Sequence, residues 1–206
     1  EYKLLKKITA ENPDLPMAHY YLGCLLYSKK QYENAACEFE KTIELKPDFY
    51  IPYRNIAALN YSHLNKNYDV LAKLKKALTL NPDSSQLVFE TAYVMCKLGI
   101  SPDERISFIE THKKSLSRDD ICIELARAYN QKGAYESALK VLSGHTFVPC
   151  EGGEHAVAEQ YMLACLAVGR ELMKKGDYKN AAKSFEKALK LPKNLGAGIW
   201  NECKYV

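Results

Sequence analysis

The chain has 206 residues, 47% of them hydrophobic and 26% charged, a balance that suits a folded protein and excludes a disordered one. Its net charge of +4 is small for this length, and the lysines are scattered over helix faces rather than gathered in a tract, so nucleic acid is not an expected partner. No window approaches the roughly 18 consecutive apolar residues that a membrane span needs, so no membrane segment is expected.

Residues 1–13 carry Leu4, Leu5 and Ile8 at helical spacing and stop at Asn12-Pro13, as the trailing helix of a repeat begun upstream would. With that pattern already running, and Glu1 rather than Met in first place, the sequence reads as a fragment of a longer chain. Residues 16–47 form a helical pair: an apolar helix through Leu22-Gly23, a Lys-x-x-Tyr turn ending at Tyr32, then Ala35, Phe39 and a stop at Pro47. Residues 50–82 repeat this loosely with Tyr68-Asp69, Leu74, Ala77, Leu80 and the stop Asn81-Pro82. In 85–115 the second helix opens at Ser101-Pro102-Asp103-Glu104, which supplies an N-cap serine, a first-turn proline and a capping-box glutamate. Residues 118–143 carry Leu125-Ala126, Tyr129, Gly133, Tyr135 and Ala138. The last unit, 156–192, restores the full skeleton with Gly169, Gly176, Tyr178, Ala181, Phe185, Ala188 and Pro192.

The turn markers Tyr32, Tyr68, Ser101, Tyr135 and Tyr178 are separated by 36, 33, 34 and 43 positions. A two-helix unit of about 34 residues has the tetratricopeptide period. Small residues at the glycine and alanine positions let the paired helices approach, and the Tyr and Phe fill the wedge between them. The expected fold is therefore all-α, a right-handed α-solenoid of tetratricopeptide-type helical hairpins, forming a single array over residues 1–206 in which each hairpin buries its apolar face on its neighbours. Seven cysteines, Cys24, Cys37, Cys96, Cys122, Cys150, Cys165 and Cys203, form no C-x-x-C pair. Most sit at apolar helical positions, which points to free thiols in a reducing compartment and to a cytoplasmic protein.

Two stretches break the period. The surplus of about nine residues before the fifth hairpin falls in 143–155, expected as an inserted loop, where Gly144, Gly152 and Gly153 permit bends and Glu151 and Glu154 flank a Gly-Gly pair. The segment 193–206 follows the last helix and begins Lys193-Asn194-Leu195-Gly196. Together with Ala18-His19-Tyr20-Tyr21-Leu22-Gly23, Tyr53-Arg54-Asn55, Ser101-Pro102-Asp103-Glu104-Arg105 and Arg118-Asp119-Asp120, these stretches resemble a group of large bacterial proteins of uncharacterised activity. In that group a tetratricopeptide array follows an N-terminal β-rich domain that looks like galactose mutarotase. Its members usually carry Pro-Trp-Glu-Gly-Gly-Glu-Gly and Asn-Leu-Gly-Glu-Gly-Lys, whereas Cys150, His155, Ala197 and Ile199 depart from those motifs here. The resemblance implies that Glu151, Glu154 and Asn194 are shared contact residues, and that a β-rich domain of the same polypeptide is one candidate partner.

Assigning helical phase from Gly23 and its counterparts places Tyr20, Tyr27, Arg54, Asn55, Tyr61, Phe89, Tyr93, Arg127 and Arg170 on the wall lined by the first helices. Tyr and Arg are enriched at binding hot spots, because each offers a large contact area with a polar end; any single one of these tyrosines reads rather as inter-helix packing, and the stripe as a whole is better evidence than any member. A clamp for a chaperone tail needs Lys and Asn on the first helix, where Tyr20 and Cys24 stand, so that clamp is not expected. Glu151 and Glu154 read either as carboxylates held by a glycine bend to accept hydrogen bonds from a ligand, or as a solvated loop packed through Phe147 and Val148. The histidines His19, His63, His112, His145 and His155 show no metal spacing, and no phosphate loop, nucleophile elbow or dinucleotide fingerprint is present. No metal, cofactor or catalytic residue is expected. The sequence reads as a non-catalytic scaffold for a protein or peptide, with a sugar-binding or carbohydrate-active protein's accessory region as the alternative, and it leaves the oligomeric state open.

Overall fold

The computed structural model describes residues 1–148, 154–190 and 192–195, with residues 154 and 155 described by their backbone alone. Every regular element among them is helical: α1 (Tyr2–Glu11), α2 (Pro16–Ser28), α3 (Tyr32–Leu45), α4 (Tyr50–Leu59) continuing into a π-helical turn (Asn60–Leu64), α5 (Asn67–Leu80), α6 (Ser85–Lys97), α7 (Pro102–Thr111), a 3-10 segment (Lys113–Ser117), α8 (Asp119–Lys132), α9 (Tyr135–Gly144), α10 (Glu154–Lys174), α11 (Tyr178–Leu189) and a 3-10 turn (Lys193–Leu195). No described helix is long and apolar enough to cross a membrane.

The chain divides into two compact units, Glu1–Val94 and Met95–Val206. In the first, α1 packs on α2, α2 on α3, α3 on α4 and α4 on α5, around Leu22, Leu26, Phe39, Ile56 and Leu59. In the second, α7 packs on α8, α8 on α9, α10 on both α8 and α9, and α11 on α10, around Cys122, Ala126, Leu142, Val157 and Ala164.

A close contact between first and second helix recurs in α2/α3 and α10/α11. A Cβ added to Gly23 would lie 2.7 and 2.8 Å from ring carbons of Phe39, and one added to Gly169 would lie 2.7 Å from Cδ1 of Phe185. Glycine is thus required by the neighbouring ring, sixteen residues on in both cases. The turns between paired helices share a second constraint. Each contains one residue in the left-handed region: Lys30, Asn65, Gly99, Gly133 and Gly176, at φ of 59, 54, 72, 82 and 78°. That conformation lets the amide just beyond it reach back, with Gln31 to Leu26, Ile100 to Met95, Ala134 to Tyr129 and Asp177 to Leu172 all donating over 2.9 Å. In the second hairpin the equivalent bond, Lys66 to Asn60 at 3.0 Å, spans one residue more.

That extra residue sits in the π-helical turn, and it corrects the expected register. The fourth residue of each second helix marks the repeat better than the turn tyrosines: Ala35, Val70, Ala138 and Ala181 are all 0 or 1% exposed. Asn67 therefore holds the place of Tyr32, and the marker Tyr68 lies one position later and is 86% exposed. In α7 the same fourth position holds Arg105, which is 2% exposed. Its guanidinium donates to Gln131 and lies 3.7 Å from the buried Glu124 of α8, which Arg127 also contacts. Burial pushes the Glu124 carboxyl up despite both arginines.

After the interruption before the fifth hairpin, the first helix is longer than its counterparts. The first helices α2, α6 and α8 have 13, 13 and 14 residues, whereas α10 has 21, so it begins about two turns earlier. Residues 145–148 are fastened to the second unit: Phe147 is 4% exposed, its N–H donates to the Asn194 carbonyl at 2.8 Å, and Val148 N–H donates to Asp119 at 2.8 Å. Phe147 packs as expected, but Val148 is 69% exposed.

Three stability outcomes follow from these contacts. Gly23→Ala and Gly169→Ala should each cost about 1–3 kcal/mol by overpacking against the Phe ring, seen as a lower melting temperature in circular dichroism; an unchanged melting point would mean the ring yields freely. An added Cβ at Gly133 meets nothing within 4 Å. Gly133→Ala should therefore cost only about 1 kcal/mol, the price of left-handed φ alone, and Lys30→Gly should change stability in the opposite direction in the same denaturant titration. Glu124→Ala should cost about 3–5 kcal/mol because it strands a buried guanidinium, while the double change Arg105→Met with Glu124→Leu should recover most of that loss.

Candidate interaction face in the first unit

On the first helices of this unit, α2, α4 with its π turn, and α6, several of the expected side chains contact neighbouring helices. Tyr20 links α2 to the start of α4: its ring centroid lies 5.2 Å from that of Phe49 and 6.0 Å from that of Phe39. Burial pushes both the Tyr20 phenol and the Cys24 thiol up, so both stay protonated at neutral pH. Arg54 links α4 to α6. Its Nε and Nη2 donate to Glu90 at 2.7 and 2.5 Å, and Gln86 donates to the same carboxylate at 2.7 Å. The Glu90 hydrogen bonds raise the Arg54 guanidinium further above neutrality. On α6, Phe89 and Tyr93 are half-buried with ring centroids 6.0 Å apart.

At the far end of α2, Tyr27 is 45% exposed, with its ring edge-on to Tyr32 at 5.8 Å and to His63 at 6.0 Å. Tyr32 and His63 stack at 3.8 Å with 5° between planes. One added residue in a helix turns all that follow by roughly 100°, so the π turn aims His63 at Tyr32 while leaving Tyr61 half-buried on the same helix. The sequence reading found Tyr27 and Tyr61 but missed this stack, because the one-residue shift is invisible to a repeat aligned on Tyr68.

The expected residues of the second unit do not assemble in this way. Arg127 is paired with buried Glu124 and helps hold α7 to α8 through Arg105, which the sequence reading also missed; alignment on the fourth position of each second helix would have exposed it. Arg170 is exposed on α10 beside Leu163, Leu166 and Met173, which are 42, 37 and 49% exposed. Asn194 donates both amide hydrogens, to the carbonyls of Leu142 and His145 at 2.8 Å each, and so fastens the 3-10 turn to the end of α9. Glu151 and the side chain of Glu154 lie outside the described residues.

No group of three or more His, Cys, Asp or Glu among the described residues is placed to hold a metal. Cys24, Cys37, Cys96, Cys122 and Cys165 are free thiols, and Cys37 is exposed, unlike the buried position expected of most; Cys150 and Cys203 lie outside the described residues. Cys122 is 3% exposed and burial pushes its thiol up to about 11, which keeps it protonated and unreactive. His145 is held 2.6 Å from Asp119, fixing the start of the segment that follows α9.

Comparison with known proteins places this geometry. Residues 18–49 and 163–195 match the tetratricopeptide repeat model. Over 77 residues, 37% of this chain, it is 38% identical to Protein STIP1 homolog of Dictyostelium discoideum, and the match spans only 14% of that relative's length. Among solved structures it resembles YrrB, described as a tetratricopeptide protein with an unusual peptide-binding site, at 17% identity and a TM-score of 0.64 over 90% of each chain. It also resembles MamA protein, at 15% identity and a TM-score of 0.62 over 93% of this chain and 97% of that one. At these identities the likeness is one of fold. The chain therefore carries tetratricopeptide repeats within an all-helical fold of tetratricopeptide type.

Proposed function

We propose that this chain is a non-catalytic interaction module that takes a segment of a protein partner on the first-helix face of the unit Glu1–Val94. The observation that carries this reading is the Arg54–Glu90 pair between α4 and α6 and the packing of Tyr20 against Phe49, with Tyr27, Tyr61, Phe89 and Tyr93 partly exposed on the same first helices. Side chains already held by their neighbours lose little freedom on binding, and large aromatic groups of this kind dominate interface energies. The peptide-binding site named for YrrB supports the reading at the level of fold. The partner is a separate protein or peptide, or the β-rich domain of the same polypeptide that the sequence resemblance implies. An accessory role in carbohydrate binding draws less support, because Asn194 has both amide hydrogens engaged by backbone carbonyls.

Selection of peptides from a display library on the purified chain tests the reading. Peptides should be enriched whose affinity falls by about tenfold or more in Tyr27→Ala and Tyr61→Ala, with helix content unchanged, because loss of one hot-spot aromatic costs on the order of 1.4 kcal/mol or more. Tyr68→Ala, on the exposed side of α5, should leave affinity intact. A library that yields no binder, or binders indifferent to both face substitutions, would sink the proposal.

A further inference from the structure

Resting on that reading, we infer that the face of the first unit selects a neutral, proline-rich segment in extended conformation. Charge is the first argument. Among the face residues named above, the one guanidinium and the one carboxylate are engaged with each other in a two-pronged pair, and Gln86 caps the carboxylate further. An acidic segment meets no open cation there, and a basic one meets no open carboxylate; either must first break the Arg54–Glu90 pair.

The second argument is hydrogen-bond complementarity. Tyr27 and Tyr61 bring phenol hydroxyls, and half-buried Asn55 brings an amide with two N–H donors. A proline-rich segment has many backbone carbonyls and few N–H groups, so it asks for donors and leaves few donors of its own to be buried unpaired. The third is shape and entropy. Half-exposed rings at Tyr20, Tyr27, Tyr61, Phe89 and Tyr93 provide flat apolar surface against which pyrrolidine rings pack. A polyproline II helix is already extended before it binds and so loses little conformational freedom, which is how aromatic-lined grooves capture such segments. An apolar amphipathic helix would bring a wide, donor-free hydrocarbon stripe against Arg54, Glu90 and Asn55, and would desolvate them without replacing their water.

The test measures fluorescence anisotropy with end-blocked dodecapeptides on the whole 206-residue chain: one built from Pro-Pro-Ala, one rich in Glu and one rich in Lys. The proline-rich peptide should bind about tenfold or more tighter than either charged one, and Tyr61→Ala should remove that advantage. Tyr61→Phe keeps the ring and removes the hydroxyl, so an intermediate loss is expected. Glu90→Gln frees Arg54 and should raise affinity for the Glu-rich peptide by about tenfold while changing the proline-rich one less than about threefold. A charged peptide that matches or beats the proline-rich one on the unaltered chain overturns the inference. So does a result in which library-selected peptides bind this face and the proline-rich one does not; there the interaction reading stands and only the partner class falls. Absence of any peptide binding takes both down together.

Discussion

Much of this structure depends on how closely two helices of a hairpin can approach. Where Gly23 faces Phe39 and Gly169 faces Phe185, the ring occupies the volume that a Cβ would need, so the first helix rests directly on an aromatic side chain of the second. That contact fixes the crossing of the pair, and the crossing fixes which side chains of the first helix turn inward. Leu22 and Leu26 go to the core, while Tyr20 and Tyr27 emerge at its margin. The left-handed residue in each turn acts with it, because it ends the first helix within one residue and lets the next begin antiparallel to it.

Against this regularity, the third hairpin departs at its centre. A position filled elsewhere by Ala or Val holds Arg105, whose Nε and Nη2 and the Glu124 Oε2 lack hydrogen-bond partners among the described atoms. A buried pair of this kind adds little net stability, since the desolvation of two charges offsets their attraction. It does add direction: the guanidinium meets Glu124 and Gln131 of α8 in only one alignment, so the junction of α7 and α8 is set by ionic geometry where other hairpins rely on the fit of methyl groups. Electrostatics also shape the first unit, where Arg54 and Glu90 bridge α4 and α6 at partial exposure.

How much was legible in the sequence differs between these features. The helices, their pairing and the glycines at the close contacts follow from local signals, namely apolar periodicity, the proline stops and spacings near 34. The candidate face was legible in part. Helical phase put Tyr20, Tyr27, Arg54 and Tyr61 at the margin of the first helices, where all four are at least partly exposed, because a first helix exposes one stripe whatever it packs against. The Arg54–Glu90 bridge spans 36 positions and links helices of two different hairpins, and no local pattern announces it.

Sequence alone thus determined that this chain folds as helical pairs of tetratricopeptide type. Only the tertiary structure decided the register, since a single residue absorbed in the π turn at Asn60–Leu64 shifts Tyr68 outward and brings His63 onto Tyr32. It also decided that α10 begins about two turns earlier than its counterparts, because Val157 and Tyr161 on the added turns are buried in the core of the second unit. The physical reason is the same in both cases: hydrogen bonding within a helix tolerates one residue more or two turns more at nearly equal cost, and the choice falls to packing between segments that lie far apart in the chain.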